Sequence, residues 1–411
     1  MSKSVASWVF YDFANSLVSV VVSFYFGLYF VDTLGLSDIW ISVVSVVSTL
    51  FLLFILPRFG ARADKYGLHK KYLTITSVFI SISAVALGIS MSLPSSGLKA
   101  LFFVIFFYFF FQVLFQAALT FYTSFLKGIA RENEDKIAGI GNGLGQLGSF
   151  FGLAIGLLIV TKEVHLSFLS PIGLVFVVNA ILFLIIYSFL QKGFIQERAD
   201  VRDSFFQLSL VESLKKVIGN KNIFYYLVAF LLYSDSILTL NLFISLYMKK
   251  AGGLNESDIT VLGLVGLASG IVGAFLTPWV SKKIGGQKKT MIVYIISFGI
   301  LLVLFSFCRT YTQFLISIIF SGLLFGLLFS LSVSMYTRLI PRREEAEYFS
   351  FYVLFSRFAS LIGPPIWSLT AYVFAGVGDD KYRFSVISLA ILVFLSLLFM
   401  RKVEEGPVTK T

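Results

Sequence analysis

Asp12, Asp235 and Arg357 are ionisable side chains set in stretches that are otherwise apolar. A charge near the centre of a bilayer costs roughly 2.5–3.5 kcal/mol. Groups kept at that cost bind an ion, a proton or a charged solute, or pair with one another. Asp235 has a dozen apolar-rich residues on either side. Arg357 stands ten residues beyond Glu347, about 15 Å along a helix. The spacing predicts an Asp235–Arg357 ion pair near mid-membrane. A proton on Asp235 would break it and free Arg357 for an anionic group. Asp12 falls four residues into its predicted helix, so it belongs either to the membrane interface or to the same path. Nothing else has the look of a reaction centre. The two histidines, His69 and His165, fall in predicted loops on opposite sides, and Cys308 is the single cysteine. No nucleophile–base pair, metal-ligand cluster or Walker motif appears. The expectation is no enzyme, no metal and no cofactor.

Polar side chains without charge form stripes. Gln112, Gln116 and Thr120 recur every four residues and fall within an arc of roughly 80° on a helix. Asn142 and Gln146 share a face, as do Ser234, Asn241 and Ser245. Such stripes line water-filled cavities between membrane helices, because lipid cannot satisfy their hydrogen-bonding groups. Gly143, Gly145 and Gly148 match a dinucleotide fingerprint, but they lie inside an apolar span and not after a strand, so the match carries no cofactor. With Gly139, Gly141, Gly152 and Gly156 they let helices approach closely.

The elements that must hold these groups are membrane spans. Of 411 residues 57% are hydrophobic and 13% charged, a balance that repeated spans of about 20 apolar residues require. The expected fold is all-α, with twelve transmembrane helices in two six-helix bundles. The spans run over Trp8–Val31, Ile39–Phe59, Tyr72–Leu93, Ala100–Leu126, Ile137–Val160 and Leu166–Leu190, then Asn222–Met248, Asp258–Val280, Thr290–Phe307, Gln313–Tyr336, Glu347–Phe374 and Phe384–Met400. The expected domains are residues 1–190 and 222–411. A cytoplasmic linker, 191–221, joins them and carries an amphipathic helix through Phe206, Leu210, Leu214 and Val217. Asp38 and Asp258 are placed to cap helix starts. Net charge is +11, yet 25 of the 33 Lys and Arg lie at one end of the spans and 7 at the other. That asymmetry puts both termini in the cytoplasm and makes lipid, not nucleic acid, the partner of the basic residues.

Residues 60–71 read as a short charged loop between the second and third spans, with Gly60, Asp64, Lys65, Gly67, Lys70 and Lys71. Lys283, Gly285, Lys288 and Lys289 repeat its pattern 218 residues later. An internal repeat at half the chain length is a common build of secondary transporters. The loop resembles the signature loop of the major facilitator superfamily. The resemblance implies a cytoplasmic gate over Gly60, Asp64, Lys65, Gly67, Lys70, Lys71, Lys283 and Gly285. Glycine-rich fifth helices are common at the moving contact between the bundles of that superfamily.

Four further segments narrow the resemblance. They are Tyr11-Asp12-Phe13-Ala14-Asn15-Ser16, then Leu232-Tyr233-Ser234-Asp235, then Arg338 to Phe349, and Gly363-Pro364. Together the chain resembles the autophagy-related vacuole-effluxer family and its prokaryotic relatives. Arg343-Glu344 depart from that family, where a Gly-Arg pair is usual. The resemblance implies a monomeric secondary active transporter, in the cell membrane or, in a eukaryote, the vacuolar membrane. Its expected cargo is a small polar solute, amino acids foremost, exported by alternating access with protons as coupling ion. The expected path runs past Asp12, Asn15, Gln112, Gln116, Asn142, Gln146, Asp235, Asn241 and Arg357. An uptake symporter for a sugar or another metabolite is the alternative within the class. A receptor or lipid-handling scaffold is the alternative outside it, and a scaffold needs no polar path.

Overall fold

A computed structural model describes residues 2–93, 98–130, 134–162, 164, 169–194, 218–340, 351–352, 355–356 and 358–404. For residues 57, 61, 64, 98–100, 126–130, 134–136, 138–139 and 278 it describes the backbone alone. The expected linker helix over Phe206–Val217 lies outside these residues. The chain forms two compact units, Met1–Gln207 and Leu208–Thr411.

The first unit holds α1 (Lys3–Leu28), α2 (Ile39–Tyr66), α3 (His69–Ser90), α4 (Leu98–Ala130), α5 (Glu134–Thr161) and α6 (Pro171–Leu190). The second holds α7 (Lys221–Lys250), α8 (Glu256–Ile284), α9 (Gln287–Ser306), α10 (Tyr311–Leu339), α11 (Gly363–Val373) and α12 (Lys381–Met400). Among the described residues eleven helices are long and apolar enough to cross a membrane. The short α11 is the remaining segment. On α4, Phe102, Phe106 and Phe110 are exposed, as a lipid-facing stripe requires.

Polar side chains set the helix starts. Ser2 accepts from the Val5 amide and begins α1 at Lys3, five residues before the apolar run suggests. Ser170 accepts from the Gly173 amide ahead of Pro171 and begins α6. Thr310 and Gln313 form a reciprocal capping box at α10, satisfying amides that have no partner inside the helix. At α8 the cap is Asn255, which accepts from the Asp258 amide at 2.8 Å. Asp258 is therefore one turn inside the helix and not its cap. Asp38 does occupy the cap position of α2, with no capping bond from its side chain to the helix.

The charged segment at 60–71 is not a loop. Helix α2 runs on through Gly60 and Lys65 to Tyr66, and α3 starts at His69. The turn is Gly67-Leu68, with Gly67 left-handed at φ 63°. Its counterpart Gly285, at φ 88°, ends α8 in the same way. Hydrophilic residues past the bilayer continue a helix readily. Only a residue without a Cβ turns left-handed at little cost. The two turns, 218 residues apart, thus share a backbone conformation as well as a sequence pattern.

The eleventh span is not one helix. The chain is helical at Phe358, turns over Ala359–Ser360, bends over Leu361–Ile362 and restarts as α11. Ser360 takes φ 149°, a strained value for a residue with a side chain. The cause is Gly363-Pro364-Pro365. Each proline ring excludes the carbonyl four residues earlier and lacks an N–H, so a helix cannot pass through the pair but can begin at it.

Candidate functional site

The two intramembrane acids are held differently. Asp12 lies nine residues, about 14 Å, inside α1 because that helix starts early. It is therefore well past the first turn, where a helix dipole would favour it. It packs on a ridge of glycines along α5. A Cβ built on Gly145 would stand 2.7 Å from Asp12 Oδ2 and 3.2 Å from Ser16 Oγ. One on Gly141 would meet the Trp8 ring, one on Gly148 the Phe13 carbonyl, and one on Gly152 the Leu17 carbonyl. The ridge faces α1 of its own unit, so its described role is packing within the bundle. Gly143 meets nothing within 4 Å, and Gly139 lies outside the described side chains.

Asp235 lies midway along α7 and is 0% exposed. It faces the restart of the broken segment. A Cβ on Gly363 would stand 3.0 Å from Asp235 Oδ2 and would overlap Thr239 Oγ1. The backbone amides of Gly363, Ile362 and Ser360 approach the carboxylate. Among the described residues, neither Asp235 oxygen nor the Thr239 hydroxyl completes a hydrogen bond of normal geometry. Arg357 is outside the described residues, and so is the expected Asp235–Arg357 pair.

Toward the start of α7, two and nine residues before Asp235, the hydroxyls of Tyr233 and Tyr226 tie that helix to α10. Tyr226 donates to the Ser332 carbonyl at 2.5 Å, and Tyr233 and Ser332 share a hydroxyl–hydroxyl bond of 2.6 Å. Tyr226 stacks on Tyr336 at 5.5 Å between centroids. Four-residue spacing picks out Gln112, Gln116 and Thr120 on α4 and passes over Ser332, which alternates with Ser330 and Ser334 and falls on another face of its helix. On α4, Gln112 donates to Tyr108 one turn away at 2.8 Å, and Thr120 donates to the Gln116 carbonyl. Tyr108 in turn stacks on Phe26 of α1 at 3.7 Å. Both glutamines are half-buried. Asn15 is buried, and its Oδ1 has no hydrogen-bond partner among the described residues. Gln146 is half-buried, while Asn142 and Asn241 are exposed. The face proposed for Ser234, Asn241 and Ser245 is therefore split, since both serines are buried.

At the turn between α2 and α3, Lys65 lies in the last turn of α2 and Lys70 and Lys71 in the first of α3. Lys65 suits the negative end of its helix and stands 5.4 Å from the Tyr66 ring centre. Lys283 stands likewise over Trp279 at 5.1 Å. Lys288 donates to the Arg401 carbonyl at 3.0 Å, tying α9 to the end of α12. The Asp64 side chain is outside the described ones.

Arg383 binds helix ends together elsewhere in the second unit. It donates to the Ser306 and Cys308 carbonyls beyond α9, to the Ala251 carbonyl beyond α7, and to Asp380. Burial pushes the Cys308 thiol above its ordinary pKa, with Ser317 and the Arg383 charge opposing.

A chain with eleven described helices long and apolar enough to cross a membrane, built as two units with matching turns, is a multi-pass membrane protein. Solved structures share the fold. The nucleoside transporter NupG superposes with a TM-score of 0.74 at 13% identity, covering 98% of this chain and 100% of that one. A bacterial homologue of the lysosomal transporter Spinster gives 0.76 at 11%, covering 97% and 95%. A D-xylose–proton symporter gives 0.73 at 13%, covering 98% and 97%. The model of the Atg22-like vacuole effluxers matches residues 39–409, and the chain belongs to that family. It is similar to an uncharacterized MFS-type transporter of Bacillus subtilis, YxiO, at 26% identity over 98% of this chain and 95% of that one. It is also similar to autophagy-related protein 22 of Vanderwaltozyma polyspora, at 27% identity over 48% of this chain and 39% of that one.

Proposed function

We propose that this transporter exports a small polar solute, amino acids foremost, by alternating access, with protons as the coupling ion. The observation that carries the reading is Asp235. It is a fully buried acid at mid-helix, with no completed hydrogen bond among the described residues. Such a group is costly to keep in a membrane unless it exchanges a proton or binds something. The family description, vacuole effluxer, supports export.

In this reading the path runs past Asp12, Asn15, Gln112, Gln116, Asn142, Gln146, Asp235, Asn241 and Arg357. The turns ending at Gly67 and Gly285, with their lysines, form the cytoplasmic gate. Residues 1–190 and 222–411 are the two bundles of a monomer, the linker 191–221 joins them, and both termini face the cytoplasm. A stability screen of the purified protein against amino acids, short peptides and sugars tests the solute class, because a ligand of the native state raises the melting temperature. Stabilisation by amino acids is expected. Stabilisation by sugars alone would replace this reading with a sugar symporter.

A further inference from the structure

The restart of the eleventh segment leaves a helix N-terminus inside an apolar bundle. Every helix start carries amides without an intrahelical acceptor, and lipid offers none. Here Pro364 and Pro365 carry no N–H, and the Ser360 and Leu361 amides donate to the Phe358 carbonyl, which leaves the amides of Ile362 and Gly363. Ile362, at the cap position, has no side chain that can accept. The acceptor comes from another helix. Asp235 reaches the amides of Gly363, Ile362 and Ser360 because Gly363 has no Cβ in the way. The Ile362 and Gly363 amides, with that of Ser360 shared with the Phe358 carbonyl, and the positive end of an 11-residue helix form a receptor for a carboxylate.

Two buried side chains point into that receptor with their hydrogen bonds incomplete: Asp235, 0% exposed, and Thr239, 1% exposed. The resident carboxylate is thus in place without being locked there. We propose that the N-terminus of α11 is a carboxylate-binding site, held by Asp235 when no solute is present. It passes to the carboxylate of the transported solute when Asp235 takes up a proton. A protonated Asp235 is neutral and loses its attraction to the amides. The solute's carboxylate takes its place, with the Thr239 hydroxyl as a further donor. The inference rests on the transporter reading and narrows its substrate class to solutes that bear a carboxylate.

The groups facing Asp235 can be named. On α7 there is the Thr239 hydroxyl, and from α11 and its lead-in come only backbone amides. Among the described residues no charged side chain of α10 or α12 acts on it. Arg357 lies outside them.

The test uses propionate and L-alanine as probes, with ethylamine and D-xylose as controls. Binding to the purified full-length protein in nanodiscs is measured calorimetrically at pH 5.5 and pH 8. Wild type should bind both carboxylates about tenfold more tightly at pH 5.5, a difference of about 1.4 kcal/mol, and neither control. Asp235→Asn should bind them equally at both pH values, with the affinity wild type shows at pH 5.5. Thr239→Val, of the same shape, should weaken carboxylate binding about fivefold and leave the pH dependence intact. Wild-type pH dependence in Asp235→Asn, binding of ethylamine as tight as that of propionate, or no carboxylate binding at either pH would each overturn the site. L-alanine counterflow in proteoliposomes runs in parallel. Counterflow without Asp235-dependent binding removes the site and leaves the transporter. Binding with the expected pattern but no counterflow of any probe supports the site and removes the transport reading.

Discussion

In each half an acid on the first helix rests against a glycine of the fifth segment: Asp12 on Gly145, Asp235 on Gly363. The two glycines are 218 residues apart, the same offset that relates Gly67 to Gly285. Their surroundings differ. Helix α5 is continuous, and its glycines give α1 a smooth seam on which backbone meets backbone. The equivalent segment of the second half is broken where the acid meets it. A carboxylate on a continuous helix faces amides already used in the helix ladder. A carboxylate at a helix restart faces amides, here those of Ile362 and Gly363, that the helix ladder does not use. The same side chain at matching contacts is thus a packed surface group in one half and a potential switch in the other.

The largest effects should separate seam from joint. Gly148→Ala drives a Cβ into the Phe13 carbonyl, which cannot move without shifting α1. Overpacking of this kind should cost about 3 kcal/mol, read as a fall in melting temperature. Gly143→Ala, which meets nothing within 4 Å, should change little. Gly363→Ala meets the stiff Thr239 side chain and should cost about 2 kcal/mol. It should also reduce transport beyond what its lost stability explains. If Gly145→Ala reduced transport as much as Gly363→Ala at equal stability, the two contacts would be equivalent and the comparison would fail.

Arg383→Gln should come next. It removes a part-buried cation shared by the ends of α7 and α9 and should lower stability by about 2 kcal/mol. The pH dependence of transport should stay unchanged, because the staple lies away from the joint. A changed pH profile would mean that the helix ends are part of the switch.

Gln112→Leu and Gln116→Leu should move stability least, by under about 0.6 kcal/mol, the usual size of a membrane hydrogen bond. Transport in proteoliposomes should nevertheless fall sharply if the stripe lines the path. Normal transport in both variants would reduce the stripe to packing.

How much of this was legible in the sequence follows from particular residues. The spans showed because lipid requires long apolar runs. Asp235 showed because a charge among them is conspicuous. The paired turns showed as a repeated pattern, but not as turns only two residues long, since hydrophobicity stops at the membrane surface and helices do not. Asp12 was placed too near its helix start because a capping serine lies outside the apolar run. The break at Ala359–Ile362 has its signal in Gly363-Pro364-Pro365, but hydrophobicity continues on both sides of the prolines and reads as one span. Thr239 left no trace, because a lone threonine on a membrane helix is common and its meaning comes from what a partner helix brings to it.

The most direct test of the account is uptake driven by an imposed pH gradient in proteoliposomes, with the amino acid that stabilises the protein most. Wild type, Asp12→Asn and Asp235→Asn are compared, each also assayed for exchange without a gradient. Asp235→Asn is predicted to keep exchange and lose the response to the gradient, while Asp12→Asn keeps both. A full response to the gradient in Asp235→Asn would contradict the assignment of the proton to the α7 acid that faces the broken segment.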